Sequence, residues 1–221
     1  MRTETKTELL IQNGWTFRFR QAEETPSRVL LLLHGWTGDE DSMWTFTRNL
    51  SPRYTIISPR GPYSAPKGKG GYSWRKIKPG TWGAPTLEEL RAAADALVSL
   101  VDKWLASVKI TSITFDIVGF SQGGALANTI AALHPDRVDK IAVLSGFVPP
   151  GVDELLKPHL LDKVSFFWAH GTQDDLILFE RARQSIAILQ QAGAQVTLCQ
   201  AEIGHKVSKD CRRALEAFFQ D

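Results

Sequence analysis

Residues 113–133 read ITFDIVGFSQGGALANTIAAL, and the change of pattern at Ser121 decides the fold. Residues 113–118 are apolar and β-rich, as a strand buried on both faces would be, whereas 122–133 return leucine, isoleucine and alanine at helical spacing. Between them stands Gly119-Phe120-Ser121-Gln122-Gly123-Gly124. A serine held on so tight a strand-to-helix turn takes a strained backbone conformation that brings the residues two before and two after it together. Both must then be glycine, and Gly119 and Gly123 are. A bare G-x-S-x-G is a loose pattern; the strand before and the helix after make this a nucleophile elbow. The turn lifts the Ser121 hydroxyl above the sheet edge and sets the Gln122 amide at the positive end of a helix, where an oxyanion would form.

The same alternation extends in both directions. Further apolar β-rich runs fall at 15–19, 29–33, 54–58, 141–145, 164–169 and 196–200, giving about seven strands with the first. Helical periodicity covers 87–108, 122–133, 179–191 and 207–219. Strands alternating with helices predict an α/β fold, a mostly parallel central sheet flanked by helices. Residues 15–19 alternate apolar with polar, which predicts an antiparallel edge. With 221 residues, 24.6 kDa, no shift in composition and no internal repeat, residues 1–221 read as one domain. The stretch 146–163 leaves room only for a short connector, so no large lid is expected there. Residues 59–85 form the one long irregular stretch, with Tyr63, Tyr72, Trp74 and Trp82 and the bases Lys67, Lys69, Arg75, Lys76 and Lys78. Four large aromatics point to a functional loop, and the bases to a solvated face.

Composition narrows the partners. Twenty-six basic against 24 acidic residues leave a net charge of +2, which gives no footprint for nucleic acid. The longest aliphatic run, residues 29–33, is far too short for membrane insertion. The first ten residues are polar and charged, so the cytoplasm is the default location. Cys199 and Cys211 lack metal-site spacing to each other or to a histidine, and are expected to be reduced structural thiols.

A serine needs a base. His34 and His170 each end an apolar strand, His134 closes a helix and His159 lies in a polar connector. His205 follows the last strand and precedes the last helix. Since the hydrolase order runs nucleophile, acid, base, His205 is the expected base. The acid should leave a strand between Ser121 and His205, where it can orient the imidazole. His170-Gly171-Thr172-Gln173-Asp174-Asp175 is such a place, with Asp174 the first choice and Asp175 its rival; Asp153 and Asp162, in the connector, are weaker. A second oxyanion donor is expected after an early strand, at the backbone amide of Trp36 in His34-Gly35-Trp36-Thr37-Gly38-Asp39, beside that of Gln122. Asp39 or Asp41 would cap a following helix that includes Met43 and Trp44. Trp36, Phe120 and Trp74 are the expected substrate walls.

Taken together, LLLHGWTG, GFSQGG, HGTQDD and the late GH resemble the phospholipase/carboxylesterase family of α/β-hydrolases, which includes the acyl-protein thioesterases. The resemblance spans nearly the whole chain, and GFSQGG is among its more specific marks. It implies a serine hydrolase without metal or cofactor, acting on carboxylic esters or thioesters through an acyl-enzyme. Its nucleophile matches Ser121, its acid Asp174, its base His205, and its oxyanion donors the amides of Trp36 and Gln122. Two places depart from the family pattern: Trp36-Thr37 replaces the usual leucine-glycine, and Tyr72-Ser73-Trp74 has its own character. Without a lid, the site should be open and suit short-chain or small exposed esters. An acyl-thioesterase or lysophospholipase is the near alternative, and a non-catalytic ligand-binding protein of this fold the distant one. A homodimer is a further expectation, through the aromatic loop, Trp36 or an exposed edge strand.

Overall fold

The strands are β1 (Glu8–Gln12), β2 (Trp15–Arg20), β3 (Arg28–Leu33), β4 (Tyr54–Pro59), β5 (Tyr63–Ser64), β6 (Tyr72–Ser73), β7 (Phe115–Phe120), β8 (Val138–Leu144), β9 (Ser165–Gly171) and β10 (Gln195–Ala201). The helices are α1 (Leu87–Ser107), α2 (Gln122–Leu133), α3 (Phe179–Gln191) and α4 (Lys209–Phe218). They come from a computed structural model that describes residues 7–24, 27–66, 69–77, 84–108 and 114–220. Trp82, Lys67 and Lys78 of the irregular loop lie outside the described residues.

Eight strands join one sheet in the order β1-β2-β4-β3-β7-β8-β9-β10, and β5 pairs with β6 separately. From β4 to β10 all neighbours are parallel, and β1 and β2 are antiparallel additions. The edge expected at residues 15–19 is therefore corrected. β2 is antiparallel but internal, because β1 covers its outer side.

Side chains alternate across the parallel strands and fill two cores. On β3, Val29, Leu31 and Leu33 face the core shared with α1, α2 and α3. Leu30 and Leu32 face the opposite core, with Met43, Phe46, Leu50, Leu215 and Phe219. Such strands read as continuous apolar runs because helices or loops cover both faces. α1 starts at a capping box, in which the Thr86 hydroxyl accepts from Glu89 N and the Glu89 carboxylate accepts from Thr86 N.

One charged cluster is buried in this sheet. Asp116, 1% exposed, accepts from Arg28 Nε and Nη2 at 3.1 Å each, from the Tyr54 hydroxyl at 2.6 Å and from Lys140 N at 3.0 Å. Burial pushes its carboxyl above the usual range, while Tyr54 and Arg28 pull the other way.

Two further expectations need correction. Cys199 and Cys211 are not free thiols; they form a disulfide with Cα atoms 5.6 Å apart, because α4 folds back over β10. The helix expected around Met43 and Trp44 is one 3-10 turn, Trp44–Phe46, with no side-chain cap. Asp39 instead closes the turn before it, accepting from Asp41 N and the Ser42 hydroxyl.

Candidate active site

The elbow forms where the glycine spacing placed it. Ser121 sits at φ +52°, ψ −112° between the end of β7 and the start of α2, a region that side chains occupy only under strain. A Cβ on Gly119 would lie 2.3 Å from Gly123 O, and one on Gly123 would lie 2.1 Å from Leu33 O. Neither position admits a larger residue without backbone movement. Ser121 N donates to Leu144 O at 2.8 Å, which ties the turn to the next strand. The Ser121 hydroxyl makes no hydrogen bond among the described residues; such bonds at catalytic serines often tighten only around a substrate.

Asp174 and His205 meet at the carboxyl ends of β9 and β10. Asp174 is 3% exposed. Its Oδ1 accepts from Leu176 N at 3.0 Å and Ile177 N at 2.9 Å, and His205 Nδ1 lies 2.7 Å from Oδ2. A carboxylate only accepts, so Nδ1 is the donor to Asp174, and in the neutral ring Nε2 is the nitrogen with the lone pair. Asp175 is exposed, and among the described residues the carboxylate paired with His205 is that of Asp174, which separates the two candidate acids. The loops are packed backbone to backbone, since a Cβ on Gly171 would lie 2.1 Å from Ile203 O and 2.3 Å from Gly204 O. Thr172 N and Gln173 N donate across to Ala201 O and Ile203 O. From the other side Ser145 Oγ donates to Lys206 O at 3.3 Å, and the Phe120 ring lies 5.1 Å from the His205 ring.

His170, which the sequence placed at the end of an apolar strand, backs this pair. Its Nε2 donates to Ile177 O at 2.8 Å and lies 3.4 Å from Asp174 Oδ2. Burial holds its pKa below the ordinary imidazole value, and its buried Nδ1 has no hydrogen-bond partner among the described residues.

The loop after β3 is held from beneath. His34 is fully buried; its Nε2 accepts from Gly61 N at 2.9 Å, so Nδ1 carries the proton and donates to Gly35 O at 2.7 Å. Burial lowers the pKa of this imidazole as well. Thr37 N donates to Tyr72 O at 2.9 Å and Tyr72 N to Gly38 O at 2.8 Å, which staples the loop to β6.

Trp74 requires a correction. It is fully buried, donates Nε1 to His34 O at 2.7 Å and packs 4.7 Å from the His34 ring. It braces the loop from within and is not a substrate wall. Its backbone N donates to Gln122 Oε1 at 3.0 Å, and Gln122 Nε2 donates to Ser73 Oγ at 3.1 Å. The Gln122 side chain thus fastens the β6 segment to the elbow, a role its sequence position gave no hint of.

Trp36 and Phe120, by contrast, line an open cavity of about 480 Å³ that also touches Met43, Phe46, His205 and Val207. Among the described residues no group of three histidines, cysteines or acids gathers to hold a metal ion.

The profile of the phospholipase/carboxylesterase family matches residues 16–220. A probable carboxylesterase of Arabidopsis thaliana, described as SOBER1-like, is 31% identical over 93% of this chain and 82% of its own length. Acyl-protein thioesterase 1 of Debaryomyces hansenii is 27% identical over 75% of this chain and 77% of its own. The crystal structure of the Bacillus cereus carboxylesterase superposes with a TM-score of 0.80 at 21% identity, over 94% of each chain, which shows a common fold. With an elbow at Ser121, two parallel-strand loops that join Asp174 to His205 and a family profile that spans nearly its whole length, the chain belongs to the phospholipase/carboxylesterase family of α/β-hydrolases.

Proposed function

We propose that the protein is a serine carboxylesterase that hydrolyses short-chain or small carboxylic esters through an acyl-enzyme on Ser121. The observation that carries this reading is the 2.7 Å contact between His205 Nδ1 and the buried Asp174 carboxylate, on loops that adjoin the strained elbow. In this scheme His205 Nε2 takes the Ser121 proton as Oγ attacks the ester carbonyl. The backbone N–H groups of Trp36 and Gln122 stabilise the oxyanion, each worth about 3 kcal/mol in comparable chemistry. His205 then protonates the departing alcohol, and water repeats the sequence to release the acid. Asp174 stays ionised and holds the imidazole in the productive tautomer. The connector between β8 and β9 consists of turns, which supports an uncovered site and small esters.

The thioesterase reading draws on the Debaryomyces relative and differs only in the leaving group. Matched oxygen and thiol esters of one acid separate the two. The main test is hydrolysis of p-nitrophenyl esters from acetyl to palmitoyl at neutral pH, with Ser121→Ala as control and a fluorophosphonate as label. Labelling at Ser121 and turnover that peaks at short chains support the proposal. Folded protein that neither turns over nor labels would overturn it in favour of a non-catalytic binding protein.

Among the described residues no helix is long and apolar enough to cross a membrane. The cytoplasmic location read from the polar N-terminus stands against the Cys199–Cys211 disulfide, a bond that persists in oxidising compartments and is rare in a reducing cytosol. Alkylation of thiols at the moment of lysis separates the two.

A further inference from the structure

We propose that the cavity beside His205 selects esters that carry a carboxylate on a short apolar chain, with Arg212 as the group that receives that charge. The inference rests on the esterase reading above and names its substrate class.

The cavity adjoins the candidate site, sharing Trp36, Phe120 and His205 with it. A ligand that fills it therefore runs outward from the reacting carbonyl. Met43, Phe46 and Val207 give it apolar walls, its charged lining residues are two cations, Lys206 and Arg212, and no carboxylate lines it. An anion on an apolar chain fits such a space, whereas an uncharged chain would leave a half-buried guanidinium with no negative charge beside it.

Arg212 is built to wait for an anion. Its Nη1 donates to Thr45 Oγ1 at 3.0 Å and more weakly to Thr45 O at 3.4 Å, and its guanidinium carbon lies 5.1 Å from the centre of the Phe46 ring. These contacts fix the plane of the group and leave Nε and Nη2 uncommitted among the described residues. Its position is set from the chain as well: Cys211, the preceding residue, is bonded to Cys199 and donates its N–H to the Ser208 hydroxyl that caps α4. Several other arginines are paired with acids. Arg213 holds Asp210, Arg60 holds Glu40 and Arg18 holds Asp41. Asp39, the remaining acid of the loop beside the cavity, is occupied by Asp41 N and the Ser42 hydroxyl. No described carboxylate pairs with Arg212, and a planar fork with free donors matches a carboxylate edge-on.

The charge could sit on either half of the ester. In both cases the ester C–O bond breaks, the acyl carbon passes to Ser121 and then to water, and the alcohol leaves with the proton that His205 carried. An acyl-side charge releases a dicarboxylate, and an alcohol-side charge releases a hydroxy acid.

The test compares kcat/KM within two matched pairs: monoethyl glutarate against ethyl pentanoate, and 4-acetoxybutanoate against butyl acetate. The charged member of one pair should be preferred, and the pair that shows it identifies the half that carries the charge. Arg212→Gln should reduce that preference about 10- to 100-fold, mainly through KM, and Arg212→Lys should restore part of it. Circular dichroism and melting temperature confirm that each variant is folded. Protection of Ser121 from fluorophosphonate labelling by glutarate, set against pentanamide, gives the same comparison without turnover. Neutral esters hydrolysed with no preference for charge, or a preference that Arg212→Gln leaves intact, would overturn the assignment and leave the esterase standing. A preference that collapses in Lys206→Gln and survives in Arg212→Gln overturns it too, since Lys206 would then be the receptor. No hydrolysis and no labelling would remove the esterase reading and this assignment together.

Discussion

His34 donates through Nδ1 to the carbonyl of the residue that follows it, Gly35, at 2.7 Å, while its Nε2 accepts from Gly61 N at 2.9 Å. The Gly35 carbonyl and the Trp36 N–H belong to one planar peptide, so a bond that holds the first also aims the second. A buried imidazole below the site thus sets the direction of a proposed oxyanion donor on the next peptide.

That relationship is testable with two amides. In His34→Asn the side-chain amide falls near the Nδ1 position, and in His34→Gln near Nε2. If the Gly35 bond is what matters, His34→Gln should lower kcat about 10²-fold with little change in KM, and His34→Asn should recover most of it. Steady-state kinetics on one short ester, with melting curves as the folding control, decide it. Equal losses in the two variants would reduce His34 to packing.

The acid can be assigned by a neighbouring pair of substitutions. Asp174→Asn should cost about 10⁴ in kcat, because an amide facing Nδ1 favours the wrong imidazole tautomer. Asp175→Asn should leave kcat within a few-fold of wild type, its side chain being exposed while His205 is paired with Asp174.

Reduction of the Cys199–Cys211 disulfide should weaken both the fold and the site. The bond spans 12 positions and closes the segment that carries His205. Cross-links across loops of this size contribute about 3 kcal/mol in the chain-entropy account. We expect a lower melting temperature with reductant or in Cys199→Ser, together with a lower kcat measured at a temperature where the reduced protein remains folded.

Stability should fall on the acid side of neutrality. His34 and His170 are both held below the ordinary value of 6.5 by burial. The unfolded chain therefore binds protons that the folded one refuses. Their contribution is fully present above pH 6.5 and is lost as pH falls below it, by up to about 1.4 kcal/mol per unit for each histidine. Urea midpoints at pH 7.5, 6 and 5 should show the decline, and a smaller one in His34→Asn.

The parts of this architecture that were legible beforehand depend on local spacing. The apolar run into GFSQGG predicted β7, the turn and α2, and α2 covers the expected 122–133. Chain order singled out His205, and its position after a strand selected Asp174. What escaped depends on packing between distant segments. Trp74 in a glycine-rich loop reads alike as pocket wall or core, and only the return of that loop beneath His34 buries it. The disulfide depends on how α4 lies on β10. β1 was missed for a different reason: Leu9 and Ile11 face solvent, so no amphipathic pattern betrays it. A signal did exist there. Asn13-Gly14, both at positive φ, joins β1 to β2 as a two-residue hairpin turn, and Asn-Gly is a strong mark of such turns.

The close fit of the elbow also limits how this enzyme could be made sturdier. Exchanging helical glycine for alanine commonly adds up to about 1 kcal/mol, and Gly123 lies in the first turn of α2, where an engineer would try it. A methyl group there would meet the Leu33 carbonyl at 2.1 Å, and one on Gly119 would meet Gly123 O at 2.3 Å. The two positions are closed to that route, so thermal hardening has to come from the periphery, at the outer strand β1 or the α4 surface. The backbone geometry of Ser121 would then pass unchanged into any more robust descendant.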